Sequence, residues 1–270
     1  NRTIFYPVGS SENFSFYAYH TYRDDDNVSP MTEDDDRIAV VVDVARPKDI
    51  LHGVAETAGN GFNASYVRES PVTNIPKFIF SHPTAGLSFR VMMSEELSAF
   101  PDNVELILSQ MKMLDIPVQA ELCIVHKSSP DSTGVLGKVM KRQDWIWTGK
   151  GTGNLGISLF DGSETAGNGD GQPVVEPVAI GDEHFIKPQP DALKIELRFV
   201  KNTYYKRGDG TYGVSGRKEY VVHAALDPSD FRTDLVGYQA GLMYKYLLEV
   251  NYSAVEDEIY VTAYPDLLGS

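Results

Sequence analysis

The sequence predicts an all-β chain of the β-sandwich class, and three observations predict it. Apolar and polar residues alternate with a period of two in several short segments. Loops rich in Gly, Pro and Asp separate those segments, and helix signals are few and short. At 270 residues the chain exceeds the usual size of one domain, so two domains of modest size are expected.

The elements follow in chain order. Residues 14–19 alternate as a half-buried strand, whereas residues 38–44 are almost continuously apolar, as a central strand covered on both faces would be. Leu87, Phe89, Val91 and Met93 alternate with Ser88 and Arg90. The segment 101–114 fits two patterns: Val104, Ile107, Leu108, Met111 and Leu114 mark a helical face, and Val104, Leu106 and Leu108 mark a strand. The strand is the reading preferred. A strand over 118–126 carries Cys123, and Asp115-Ile116-Pro117 before it is the expected domain boundary. Eight glycines within residues 149–171 predict a long mobile connection and no core element. Leu193, Ile195, Leu197 and Phe199 then alternate with Lys194, Glu196 and Arg198, and 220–226 repeat the pattern. Asp227-Pro228-Ser229-Asp230 supplies a capping residue and a proline for one or two helical turns. Tyr244, Tyr246, Leu248, Val250 and Tyr252 form another strand, and 259–263 close the series.

Charge and motifs narrow the function. The formal net charge of −14, without a basic stripe, speaks against nucleic acid and anionic lipid as partners, since both need clustered Lys and Arg. No apolar run approaches the roughly 18 residues of a membrane-spanning helix. Residues 1–7 lack the features of a signal peptide, so any export signal is expected upstream or already removed. The single cysteine, Cys123, cannot form an intramolecular disulfide or a Cys-rich zinc site and reads as a small structural thiol.

Gly151-Thr-Gly153-Asn-Leu-Gly156 has the letters of a dinucleotide fingerprint, but no helix pattern follows it, and Leu155, Ile157 and Leu159 alternate like a strand. The acidic runs at 24–26 and 33–36 lack the order of a calcium loop and read as solvated. His20, His52, His82, His126, His184 and His223 show no zinc-ligand spacing. No nucleophile elbow is present. These readings predict no enzyme, no cofactor and no metal. Aromatic residues crowd the N-terminal stretch, and Trp145 and Trp147 share one face of a presumed strand with Ile146 facing the other way. Exposed, such a pair could stack on a sugar ring; buried, it fills a sandwich core, which is the reading preferred.

Five segments in order then carry a resemblance: Ile4-Phe5-Tyr6-Pro7-Val8-Gly9 continued by Phe14-Ser15-Phe16-Tyr17-Ala18-Tyr19; Asp49-Ile50-Leu51-His52-Gly53-Val54-Ala55; Phe78-Ile79-Phe80-Ser81-His82-Pro83 running on to Val91; Phe185-Ile186-Lys187-Pro188-Gln189 with residues 193–199; and residues 238–246. Together they resemble the fimbrillin-like pilus and adhesin family of Bacteroidetes. The resemblance implies two tandem Greek-key, transthyretin-like β-sandwiches, here 1–116, with further strands upstream, and 117–270. It implies a lipoprotein precursor in an outer-membrane-associated fimbrium, joined to other fimbrial subunits by strand exchange, with host or bacterial surface ligands as further partners. The only membrane contact implied is an upstream lipid anchor, and His82 is structural. An acceptor groove lined by Phe14, Phe16, Leu87 and Phe89 is expected on this basis. The alternative function is a surface glycan-binding module built on Trp145 and Trp147.

Overall fold

The computed structural model describes residues 14–21, 32–33, 36–56, 62, 76–94, 103–147, 155–161 and 174–266. These residues form strands and no α-helix. In order the strands are β1 (Tyr17–His20), β2 (Thr32–Glu33), β3 (Arg37–Asp43), β4 (Leu51–Glu56), β5 (Lys77–Ser81), β6 (Ala85–Met93), β7 (Val104–His126) and β8 (Leu136–Trp147). They continue as β9 (Ile157–Asp161), β10 (Val178–Ala179), β11 (His184–Ile186), β12 (Leu193–Lys206), β13 (Tyr212–Leu226), β14 (Met243–Ser253) and β15 (Glu258–Pro265). The capping signal at Asp227 produces a single 3₁₀ turn, Pro228–Asp230, with the Asp227 carboxylate accepting from the Ser229 N–H. The strand reading of 101–114 holds, inside β7.

Three sheets result. One runs β1-β4-β5, a second β10-β6-β14-β15 with β11 also on β6, and a third β13-β12-β7-β3-β2 with β8 and β9 also on β7. The strand β7 is the spine of the third sheet. Met111 and Met113 pair with both β12 and β8, while Ala120 and Leu122 pair with both β3 and β8. A residue has only two edges, so β12 and β3 lie end to end along one edge of β7, with β8 and β9 along the other. Pro117 falls in the gap between β12 and β3 on one edge and opposite Arg142 of β8 on the other, where the β7–β8 register shifts.

Side-chain alternation sorts these strands into two cores. The larger gathers Leu87, Phe89, Leu106, Met111, Leu159, Leu197, Phe199, Tyr246 and Leu248, among others, between the second sheet and the first half of β7 with β12. The smaller holds Val40, Val42, Val44, Ile50, Ala120, Leu122, Ile124 and Leu136, with Tyr17, Tyr19 and Ile38 packed against it. The division expected at 116/117 falls inside β7, where Asp115 takes a φ of 48° and the pairing with β8 shifts register between Met113 and Ile116. Ile116 and Val118 belong to the larger core, and Ala120 and Leu122 to the smaller. Strand β6, from the first half of the chain, pairs in parallel with β14, Leu87 beside Tyr244 and Phe89 beside Tyr246.

The glycine-rich segment also departs from expectation. Residues 157–161 form β9 on the edge of β7, and Leu159 and Phe160 are buried. Glycine count marks loops, but Leu155, Ile157 and Leu159 keep a strand period that the edge of β7 captures. One glycine is dictated by its backbone. Gly237 has a φ of +79°, and a Cβ there would come within 2.4 Å of the Gln189 carbonyl oxygen, across the bridge that pairs Gln189 with Tyr238.

Candidate functional site

Two places stand out: an apolar strand edge and an aromatic cavity. The edge is β5. It pairs on one side with β4, His52 opposite Ser81 through Glu56 opposite Lys77, and it ends its sheet among the described residues. All five of its residues are exposed. Phe78 and Phe80 share a face with their rings 6.1 Å apart, and Ile79, 55% exposed, points to the other. The Phe80 ring lies against Gly53, where a Cβ would meet it at 2.8 Å, so the strand can carry a large side chain over its neighbour. Folded proteins usually blunt such an edge with charge or proline. Here three consecutive apolar residues occupy it, with Lys77 at one end.

The expected groove residues do not come together. Phe14 forms a bridge with Phe62, and Phe16 packs edge-on against the Phe62 ring at 5.3 Å while its carbonyl accepts from Ala55 N–H. Leu87 and Phe89 lie on β6 in the larger core, buried, with Phe89 stacked on Tyr246 at 5.7 Å and edge-on to Trp147 at 5.3 Å. Leu87 and Phe89 thus share β6 of the second sheet, whereas Phe14 and Phe16 lie ahead of β1, beside Phe62. The run Phe78-Ile79-Phe80 carried the signal for the edge: three apolar residues without alternation, directly before Ser81-His82-Pro83.

The cavity, of about 480 Å³, lies beside the end of β8. Trp145 and Trp147 share a face there as the period of two requires, opposite Met113 and Met111 of β7. They differ in depth: Trp147 is buried in the larger core, Trp145 is half-buried in the cavity wall, and Ile146 faces outward, 41% exposed. His184, held on β11 opposite Leu87, contacts both indoles, at 4.6 Å from Trp145 and 4.9 Å from Trp147. Burial pushes its pKa down to about 4, against a smaller opposing pull from the Ala45 backbone. The imidazole is therefore neutral at pH 7. Gly181, with a φ of +62°, brings the Asp182 loop against Trp147, where a Cβ would approach the indole to 2.9 Å.

The remaining polar clusters are structural in geometry. His82 Nδ1 and Thr84 Oγ1 both meet the Asp49 carboxylate, which also accepts from Ile50 N–H. Thr84 donates to Asp49 and not to the imidazole. Asp257 gathers Lys201, Lys218, Tyr220 and Tyr252. Burial pushes that carboxyl up, but the hydrogen bonds from Lys201, Lys218 and the two tyrosines prevail and hold it well below the usual carboxylate range. Cys123 is buried on β7. Asp36 accepts from Ser128 N–H and Oγ–H. Residues 24–26, 34–35 and 151–154 lie outside the described residues, and Gly156 leads into β9, where a dinucleotide site would need a helix. Among the described residues no group of three or more His, Cys, Asp or Glu is placed to hold a metal ion.

No protein-family model matches the sequence, and no curated protein matches it. Solved structures do. A fimbrial protein from Bacteroides vulgatus superposes with a TM-score of 0.55 at 13% identity, over 97% of this chain and 79% of that one. A candidate cell adhesion protein from Bacteroides uniformis has a TM-score of 0.39 at 14% identity, over 97% and 75% of the two chains. At 13% identity the likeness is one of fold. This chain is an all-β protein with the fold of the Bacteroides vulgatus fimbrial protein.

Proposed function

We propose that this chain is a non-catalytic cell-surface fimbrial or adhesion subunit that joins its neighbours by strand donation at the β5 edge. The fold shared with a fimbrial protein supports the general role. The observation that carries the mechanism is β5 itself, an outer strand with Phe78, Ile79 and Phe80 exposed. An extended segment of a neighbouring subunit would pair with the edge that β5 leaves open among the described residues and cover its side chains. Covering a large apolar side chain fully is worth about 1.5–3 kcal/mol, and these three are already partly covered, so their burial would add roughly 2–4 kcal/mol to the backbone pairing. In this reading a lipid anchor upstream of Asn1 ties the precursor to the outer membrane.

Native electrophoresis and negative-stain microscopy test the reading on the full-length precursor, before and after limited proteolysis of its N-terminus. Ladders or filaments are expected after cleavage, and Ile79→Asp should abolish them while the circular dichroism spectrum stays that of a β protein. Persistent monomers, or undiminished polymer from folded Ile79→Asp, would overturn the β5 assignment.

A further inference from the structure

The backbone of β5 has an orientation that follows from its neighbours. Ala55 N–H donates to the carbonyl of Phe16, directly before β1. Along a strand the N–H and C=O of one residue point to the same side, and those of the next residue point to the other. Gly53 and Ala55 therefore turn their backbone groups toward β1, and His52 and Val54 turn theirs toward β5. Their partners Ser81 and Ile79 answer across that ladder. Phe78 and Phe80 are left with N–H and C=O directed at the edge that is open among the described residues.

The side chains add a second property. The strand reads Lys77-Phe78-Ile79-Phe80-Ser81, an apolar triplet symmetric about Ile79. Laid antiparallel against a second copy with Ile79 on a two-fold axis, Phe78 of each copy faces Phe80 of the other, and Lys77 faces Ser81. Phe78 and Phe80 are the residues whose backbone groups point outward, so both of these pairs are of the hydrogen-bonded kind. Ile79 then meets its own counterpart in the close, non-hydrogen-bonded position. A slip of one residue would set Phe78 against a residue whose backbone groups point away. A slip of two keeps the backbone match but puts Ile79 opposite Lys77 or Ser81. Like charges stay apart in the centred register, since the two copies of Lys77 lie about 14 Å from each other along the strands, beyond the roughly 8 Å screening length at physiological ionic strength.

We infer that β5 pairs with β5 of a second copy of this chain, antiparallel and centred on Ile79, to form a two-fold dimer. One face of the joined sheet gains a row of aromatic rings from Phe78 and Phe80 of both copies. The other face sets the Ile79 pair beside Val54, the cross-strand neighbour of Ile79 and itself 40% exposed. A single five-residue strand from each copy covers less than the roughly 1,200 Å² of a standard interface, so the dimer is reversible and depends on concentration. The inference rests on the same open edge as the strand-donation reading and concerns its regulation. A donor strand and a second copy cannot occupy β5 together, so the dimer keeps the edge covered until a donor displaces it.

Ile79→Cys tests the register. Cys123, the only cysteine of the chain, is buried, and Cα atoms facing each other at a non-hydrogen-bonded position lie about 4.5 Å apart, within reach of a disulfide. The uncleaved full chain would be treated with oxidised glutathione and run on non-reducing electrophoresis. Ile79→Cys should give covalent dimer at about tenfold the yield of Lys77→Cys, which the register places out of disulfide range of its counterpart. Mixing Lys77→Cys with Ser81→Cys should restore the dimer. Sedimentation equilibrium supplies a second readout: the wild type should exchange between monomer and dimer, and Ile79→Asp, which sets two carboxylates face to face, should stay monomeric. No covalent dimer from Ile79→Cys, an equal yield from Lys77→Cys, or undiminished dimer in folded Ile79→Asp would sink the inference. Strand donation is scored separately, by ladders after cleavage of the precursor. Ladders without an Ile79→Cys dimer reject self-pairing alone, and the dimer without ladders rejects donation alone.

Discussion

Replacing His184 with phenylalanine should remove a specific part of the protein's acid sensitivity. Phenylalanine keeps the ring contacts with Trp145 and Trp147 but cannot take a proton. In the wild type, burial lowers the folded-state pKa from 6.5 to about 4, and the imidazole is 4% exposed, so solvent offers little relief. As pH falls through 6.5 the unfolded chain accepts a proton at this position and the folded chain does not. Stability is therefore unaffected by His184 above that pH, declines between 6.5 and about 4, and has lost its full share once pH passes below the folded value. The fall from 6.5 to about 4 converts to about 3 kcal/mol. Urea unfolding at pH 7, 6, 5 and 4.5, followed by tryptophan emission, measures it. All other titratable groups are common to both proteins, so the difference in slope between wild type and His184→Phe isolates the imidazole. Equal slopes would refute the burial argument.

Three further substitutions probe the frame around these sites. Asp257→Asn removes the charge on which Lys201, Lys218, Tyr220 and Tyr252 converge; with the carboxylate 39% exposed, a loss of about 2 kcal/mol in chemical unfolding is expected. Arg90→Ala removes the guanidinium whose Nε and Nη2 donate to the Asp266 carboxylate, 3% exposed, and should cost about 3 kcal/mol by the same assay. Gly237→Ala forces a Cβ onto the Gln189 backbone in a left-handed conformation and should lower the melting temperature by several degrees, about 2 kcal/mol or more.

The strand pattern was legible because each major strand has one face on a core. The alternation of Leu193, Ile195, Leu197 and Phe199 reads directly as burial on β12, and that of Tyr244 to Tyr252 reads as burial on β14. Register between distant strands was not legible. The period of Leu87 and Phe89 does not reveal that β6 pairs with β14, more than 150 residues later. The cavity was half legible. Trp145 and Trp147 declared a shared face, but their difference in depth depends on Phe89 and His184, which reach them through tertiary contact. Nothing local to His184 marks it as the residue that closes the set.

The boundary expected at Asp115-Ile116-Pro117 falls on β7, which runs through it as one strand. Proline and a left-handed aspartate are loop signals when each residue is judged on its own backbone. Here they fall where one edge of the strand changes partner from β12 to β3, the one stretch of that edge with no ladder to maintain. On the other edge β8 spans the same stretch, Gln143 and Arg142 facing Ile116 and Pro117 through shifts of register. Ile116 and Val118 remain in the larger core, while Ala120 and Leu122 two and four residues on belong to the smaller. Backbone irregularity thus marks a handover between cores along a single strand. The tryptophan cavity lies at β8 on this spine, whereas β5 belongs to a separate sheet that meets β7 through the smaller core and through the hydrogen bond between His52 Nε2 and the Ile124 carbonyl.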